Sequence, residues 1–157
     1  MINSRLDSVT SDGVQMYTYE NLNEAYTRGM EWDMTIRMFT YFRLTGGYSF
    51  LETEDVNTGK SFYNRPKHSA RVKFDWDFSE LGFSGNVRWR YIGERLVVNI
   101  KGQELFAPYY ALWSSRIEQR IWGPFSAYLS VVNILDYQDR DYVALPGRLV
   151  YIGLEIN

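Results

Sequence analysis

The chain has 157 residues, of which 45% are hydrophobic, 17% aromatic and 23% charged, and its net charge is −2. This balance gives no general attraction to nucleic acid, and the absence of cysteine excludes disulfides, thiol nucleophiles and cysteine metal sites. No run approaches the ~18 consecutive apolar residues that a membrane-spanning helix requires. One histidine, His68, leaves little for a metal site or a Ser-His pair, so we expect no enzymatic activity, no metal and no cofactor.

Apolar and polar residues alternate along most of the chain, which is typical of strands whose two faces meet different surroundings. The clearest case is 71–78, where even positions are apolar and odd positions are charged. Residues 83–91 repeat the pattern with the apolar side chains on odd positions. In chain order, strands are predicted at 2–10 (the weakest), 32–38, 43–50, 71–78, 83–91, 109–121, 125–131 and 150–156. We therefore expect an all-β chain, an antiparallel meander of about eight long strands.

Short and long connections between the predicted strands alternate from the second strand onward. Three connections are tight and lie at 39–41, 79–82 and 122–124. The others are long and polar and lie at 10–25, 52–66, 93–108 and 135–146. A meander with short turns at one end and long loops at the other is the layout of outer-membrane β-barrels.

Strand length, aromatic placement and charge favour a bilayer over water. The segments 68–78 and 109–121 are about 10 to 13 residues long, whereas soluble strands centre near ~5–6 residues and ~9–11 tilted residues cross a bilayer. Aromatic residues flank each tight turn, where rings suit a membrane interface: Phe39, Tyr41, Phe42, Phe78, Phe83, Trp122 and Phe125.

The polar side of the predicted strands is rich in charges and would line a barrel lumen while the apolar side meets lipid. These charged residues are Arg37, Arg71, Lys73, Asp75, Arg88, Arg90, Arg116, Glu118 and Arg120. A soluble antiparallel sheet with one wet face also alternates. A soluble β-sandwich that binds a partner is therefore one alternative.

Four short motifs resemble, in order and spacing, the late barrel strands of TonB-dependent outer-membrane receptors. Residues 21–31 resemble the N-x-x-x-A-x-x-x-G-x-E stretch that opens one strand, and 63–68 are similar to the N-x-P-x-H entry into the next. Residues 133–137 look like the N-L-F-D-x-x-Y stretch before the final loop, and 146–148 match the P-G-R that begins the last strand. The motif residues, for which we expect structural roles, are Gly29, Glu31, Pro66, Asn133, Pro146, Gly147 and Arg148.

The resemblance implies that residues 1–157 are the C-terminal part of a barrel of about 22 strands in the bacterial outer membrane, whose N-terminal plug domain lies outside this chain. Such receptors import siderophore-bound iron, cobalamin or similar scarce nutrients. The implied partners are outer-membrane lipid, the plug, the TonB complex acting through the plug, and a metal-chelate or cobalamin-type ligand. Because about eight strands are too few for that lumen, a free-standing eight-stranded barrel is the competing architecture.

Ligand capture is expected on the long loops, because binding residues tend to lie on loops held by a rigid frame. Cations and phenols there would suit an anionic or catecholate ligand. The candidates are Tyr63, Asn64, Arg65, Arg95, Lys101, Gln103, Arg140 and Tyr142.

Overall fold

A computed structural model describes residues 2–9, 15–21, 24–98, 102–139, 142 and 145–156, with side chains from residue 24 onward. Eleven strands form within these ranges: β1 (Ile2–Val9), β2 (Gln15–Asn21), β3 (Ala25–Met38), β4 (Phe42–Asp55), β5 (His68–Phe78), β6 (Phe83–Ile92), β7 (Arg95–Val98), β8 (Glu104–Ala107), β9 (Tyr110–Trp122), β10 (Phe125–Val132) and β11 (Leu149–Ile156). A 3-10 turn at Ser79–Leu81 is the one helical element of this part. No helix in the described ranges could span a membrane.

The main body is a seven-stranded sheet in the order β3-β4-β5-β6-β9-β10-β11, and every neighbouring pair is antiparallel. Two further hairpins, β1-β2 and β7-β8, form separate two-stranded sheets. The predicted all-β antiparallel meander is thereby confirmed. Strands β3 and β4 have 14 residues each, β5 has 11 and β9 has 13, enough for tilted strands to cross the hydrocarbon core.

The predicted tight turns are confirmed, and all three lie at one end of the sheet, which we call the turn end. They follow β3, β5 and β9 at residues 39–41, 79–82 and 123–124. Gly82 has φ of 63°, and a Cβ there would lie 2.7 Å from the Cβ of Arg120. Backbone conformation and close approach therefore both require glycine at this position.

Two of the predicted loops were wrong in part. Residues 10–25 contain β2, which pairs with β1, and 93–108 contain the β7-β8 hairpin. Alternation did not predict the hairpin, because each of its strands has only four residues. Moreover, Leu96 and Val97 are consecutive and both buried, so this run has no period of two.

Strand register keeps the two faces of the seven-stranded sheet distinct. The apolar face carries the even-numbered residues of β3, β4, β5 and β11 and the odd-numbered residues of β6, β9 and β10. On it Phe74 lies opposite Val87, and Trp89 opposite Trp113. The remaining positions form the polar face, which includes Arg88. This arrangement is the one that the sequence predicted.

The seven-stranded sheet is a single layer. In the described residues, the buried hydrophobic side chains are Leu96, Val97 and Ala107, all of which belong to the β7-β8 hairpin. Apolar residues of the sheet are exposed instead: Met30 is 61% exposed and Ile152 is 81% exposed. A soluble β-sandwich buries a core between two sheets, so that alternative is excluded, and so large an exposed apolar surface calls for a covering medium.

Candidate functional site at the loop end of the sheet

Three long connections meet at the end of the sheet opposite the tight turns, which we call the loop end. They are the β4-β5 loop (56–67), the β6-β9 connection (93–109) that contains the β7-β8 hairpin, and the β10-β11 loop (133–148). Their contacts with one another and with the strand ends form the candidate site.

The β4-β5 loop is fastened to the β7-β8 hairpin at both hairpin strands. The backbone N–H of Asn64 donates to the carbonyl of Leu96 at 2.8 Å, and Asn64 adopts a φ of 58°, which asparagine tolerates better than most residues. The Glu104 carboxylate accepts hydrogen bonds from Lys60 Nζ and from the Tyr63 hydroxyl. Two loops that are distant in sequence are therefore held as one unit.

Arg95 anchors the hairpin to the wall of the sheet. Arg95 is only 6% exposed, and its guanidinium lies 5.2 Å from the ring centroid of Tyr110, within cation–π range. Tyr110 is an even-numbered residue of β9 and belongs to the polar face, so the hairpin base folds over that face. The Nη1 atom of Arg95 is buried and has no hydrogen-bond partner among the described atoms.

Tyr137 places the β10-β11 loop against Tyr110, the residue that Arg95 also contacts. Its ring stacks on that of Tyr110 with centroids 5.4 Å apart and planes 11° from parallel. The phenol donates to Asp139 at 3.3 Å, and burial together with that carboxylate raises the pKa of the Tyr137 hydroxyl. The hydroxyl thus stays protonated at neutral pH and acts as a donor.

The β10-β11 loop is built around Asn133, which is 3% exposed. Its side-chain amide donates to the carbonyls of Tyr137 at 2.8 Å and Pro146 at 3.1 Å, and its side-chain oxygen accepts the Tyr137 N–H at 2.9 Å. Asn133 therefore joins the start and the end of the loop through its own side chain.

Asp136 makes the second closure of this loop. Its carboxylate accepts the backbone N–H of Arg148 at 2.7 Å and the amide of Gln138 at 3.3 Å, and these bonds lower the pKa of Asp136. A Cβ on Gly147 would lie 2.9 Å from the same carboxylate oxygen. Asn133 and Pro146-Gly147-Arg148 came from separate sequence motifs, and the fold brings them together.

The structure places the other predicted residues as follows. Arg65 and Gln103 are exposed on the β4-β5 loop and at the hairpin tip, and Tyr142 is exposed with its N–H donated to Asp139 at 3.1 Å. Lys101 and Arg140 lie outside the described residues. Pro66 is half-buried in the β4-β5 loop, while Gly29 and Glu31 lie on the polar face of β3, opposite Leu51 and Ser49.

Sequence reasoning missed Lys60, Glu104, Tyr110 and Tyr137 as members of this end of the molecule. Tyr110 was assigned to a strand and Tyr137 to a motif. A signal existed only for the two tyrosines, since tyrosine combines a ring that packs against other aromatic rings with a hydroxyl that forms hydrogen bonds.

A family comparison identifies the chain. Residues 1–134 match the model described as "TonB dependent receptor-like, beta-barrel". The chain belongs to this family. The family lies in the outer membrane of Gram-negative bacteria and consists of receptors and transporters, so the predicted location and the prediction that the chain is not an enzyme are confirmed.

Solved structures share this fold. This TonB-dependent barrel chain is similar to the siderophore receptor PirA from Acinetobacter baumannii (TM-score 0.73, 19% identity, 98% of this chain and 25% of that one). It is also similar to a mutant of the ferric enterobactin receptor PfeA from Pseudomonas aeruginosa (0.71, 18%, 98% and 26%) and to the copper transporter OprC (0.75, 14%, 99% and 25%). No curated protein matches the sequence. The chain spans about a quarter of the length of the structures it matches.

Proposed function

We propose that this chain is the C-terminal part of the barrel of a receptor that binds an anionic iron chelate of the siderophore type. The receptor imports this nutrient with energy passed from the TonB complex through an N-terminal plug. The observation that carries the proposal is the convergence of three long loops, rich in cations and phenols, over the polar face at one end of the sheet.

The open edges of the sheet favour the interpretation that this chain is part of a larger barrel, rather than a free-standing small barrel. In the described strands, β3 and β11 are the two edges and do not pair with each other. An open edge leaves backbone N–H and C=O groups without partners, which hydrocarbon does not tolerate. Further strands of the same receptor would complete the pairing, in keeping with the quarter of each matched structure that the chain covers.

Sidedness follows from the two ends of the sheet. At the turn end Phe78 contacts Tyr41, Phe42 and Phe83 with ring centroids 5.5 to 6.3 Å apart, as in the aromatic girdle at a membrane interface. Short turns face the periplasm in such barrels and long loops face the outside. The loop end is therefore the ligand-facing end.

The ligand chemistry is argued from the loop residues. Arg65 offers an exposed guanidinium, which suits bidentate binding of carboxylate or catecholate oxygens. Asn64, Gln103 and Tyr142 add exposed polar groups on the three loops. Tyr63 and Arg95 lie beneath them and hold the loops in place. Lys101 and Arg140 stay candidates by their sequence position, and the cobalamin type stays a prediction.

The test uses the full-length receptor. Binding of a ferric catecholate siderophore, ferric citrate, cobalamin and Cu²⁺ is measured by quenching of tryptophan fluorescence, and uptake of labelled iron is measured in cells with and without TonB. We expect the ferric catecholate to bind and to be imported only with TonB. Arg65→Gln should weaken its binding about tenfold, or ~1.4 kcal/mol, while Arg120→Gln at the turn end should not. Binding of cobalamin or Cu²⁺ alone would contradict the ligand class.

A further inference from the structure

Two neighbouring arginines of β6, both on the polar face, have no ion-pair partner in the described part of the chain. Arg88 and Arg90 are both exposed, and neither forms an ion pair or side-chain hydrogen bond with any residue that the structure describes. Register places Arg88 opposite Lys73 and Arg90 opposite Arg71. Like charges directly opposite each other destabilise a sheet, so a negatively charged partner would stabilise this arrangement.

The opposing cations are already engaged elsewhere. Arg71 reaches across Gly47 to Asp33 with a 2.5 Å contact, and Lys73 pairs with Asp75 at 2.5 Å on its own strand. On the other flank, Arg88 lies opposite Ser114 and Arg90 opposite Leu112, and neither of these can neutralise a cation. The wall of the sheet therefore supplies no counter-charge to these two arginines.

The charges around Arg88 and Arg90 are less balanced than those at the turn end of the sheet. A cavity of about 320 Å³ there is lined by three arginines and three carboxylates: Arg37, Arg43, Arg116, Asp75, Asp77 and Glu118. The groove beside Arg88 and Arg90 measures about 450 Å³ and has Arg116 as a third cation, but no carboxylate in its lining. Arg116 is itself paired with Glu155 at 2.6 Å and lies over the Tyr128 ring. The groove thus has two uncompensated positive charges.

We infer that Arg88 and Arg90 bind an acidic, extended segment of polypeptide inside the barrel, a segment of the receptor's own plug with carboxylates on alternate residues. Arg88 and Arg90 are two residues apart on β6, about 6.7 Å along the strand, which is the spacing of alternate side chains on a second extended segment. Ser114 and Ser130 line the same groove with small side chains and leave room for that backbone. This inference rests on the proposed function, because it requires the polar face to be the inside of a plugged barrel.

The direct test is photocrosslinking of the full-length receptor in outer membranes. p-Benzoylphenylalanine replaces either Arg90 or, as the matched control on the opposite face, Trp89, and adducts are identified by mass spectrometry. We expect position 90 to crosslink to a segment of the same receptor with Asp or Glu on alternate residues, and position 89 to give lipid adducts. A protein adduct without such carboxylates, or no protein adduct at position 90, overturns the inference while the proposed function stands. Protein adducts at 89 together with lipid adducts at 90 overturn both.

A second measurement separates a docked segment from an anionic nutrient in transit. Leakage of a chromogenic cephalosporin into the periplasm reports a loosened plug. R88E/R90E should raise leakage several-fold, and R88K/R90K, which keeps both charges, should restore the original value. Unchanged leakage with lowered uptake of the ferric catecholate would mean that the arginines serve the nutrient and would overturn the inference. Migration of the unheated receptor on gels confirms that each variant forms a folded barrel.

Discussion

The carboxylate of Asp136 accepts the backbone N–H of Arg148 across the base of the last loop, at 2.7 Å. Arg148 immediately precedes β11, which begins at Leu149. This bond, with those of Asn133, fixes the point at which the chain re-enters the sheet. Because a shift of one residue would exchange the two faces of a strand, the contact helps to keep the apolar side chains of β11 on the apolar face.

Asn133 should be the most sensitive residue of this loop. Asn133→Asp keeps the oxygen that accepts the Tyr137 N–H but removes the amide that donates to Tyr137 and Pro146. A buried carboxylate would then face two carbonyls, so we expect a loss of about 1–3 kcal/mol. Faster proteolysis of 133–148 in the folded receptor is the measurement. A loop as resistant as that of the parent protein would contradict the role given to Asn133.

Gly147→Ala should disturb the same loop through its added methyl group. The new Cβ would lie 2.8 Å from the Gln138 amide and 2.9 Å from the Asp136 carboxylate, too close for either contact to persist unchanged. Gly46→Ala is the matched control, because a Cβ there meets nothing within 4 Å. We expect a lower unfolding temperature for Gly147→Ala alone, and equal effects of the two changes would be evidence against the packing described.

Low pH should weaken the hydrogen bonds that the Asp136 carboxylate accepts from Arg148 and Gln138. Hydrogen bonds lower the pKa of this carboxyl in the folded loop, so its contribution to stability is fully present above the ordinary carboxyl pKa and is lost as pH falls through the lowered value. The protection of the Arg148 amide against hydrogen exchange, taken relative to the intrinsic exchange rate at each pH, should therefore fall at low pH. Asp136→Asn cannot titrate and should show no such fall in protection. An identical pH profile in both proteins would count against the assignment.

Val87 and Arg88 are neighbours on β6 that belong to opposite faces. Val87→Arg places a charge on the apolar face in the middle of the strand, where contact with lipid near the midplane should cost ~2–4 kcal/mol. Arg88→Gln should cost far less barrel stability, because the side chain stays in a polar interior. The free energy of unfolding in detergent–lipid mixtures is the measurement, and the reverse order would show that the faces are assigned wrongly.

The faces of the sheet could be predicted from the sequence because long strands repeat a period of two many times. Positions 71–78 and 83–91 alone determine which side of β5 and β6 is apolar. The β7-β8 hairpin could not be predicted, since Leu96 and Val97 are buried together and give no alternation.

The contacts of the candidate site could not be predicted from the sequence, for a different reason. Tyr110 stacks on Tyr137, and the Glu104 carboxylate accepts hydrogen bonds from Lys60 and Tyr63. These contacts join segments tens of residues apart, and composition does not determine such pairs. The uncompensated state of Arg88 and Arg90 likewise depends on strand register. The alternation of residues indicated charges on the polar face, but only the pairing of β5 with β6 showed that Arg88 and Arg90 lie opposite other cations.

The assignment of the apolar face to lipid can be tested most directly by spin labels attached to the V87C and R88C variants of the receptor in lipid bilayers. Accessibility to oxygen, which partitions into hydrocarbon, is compared with accessibility to a water-soluble nickel chelate. We predict high oxygen accessibility for the label at position 87 and low accessibility for the label at 88. The opposite order, or a label at 87 shielded from both reagents by a second protein layer, would contradict the account.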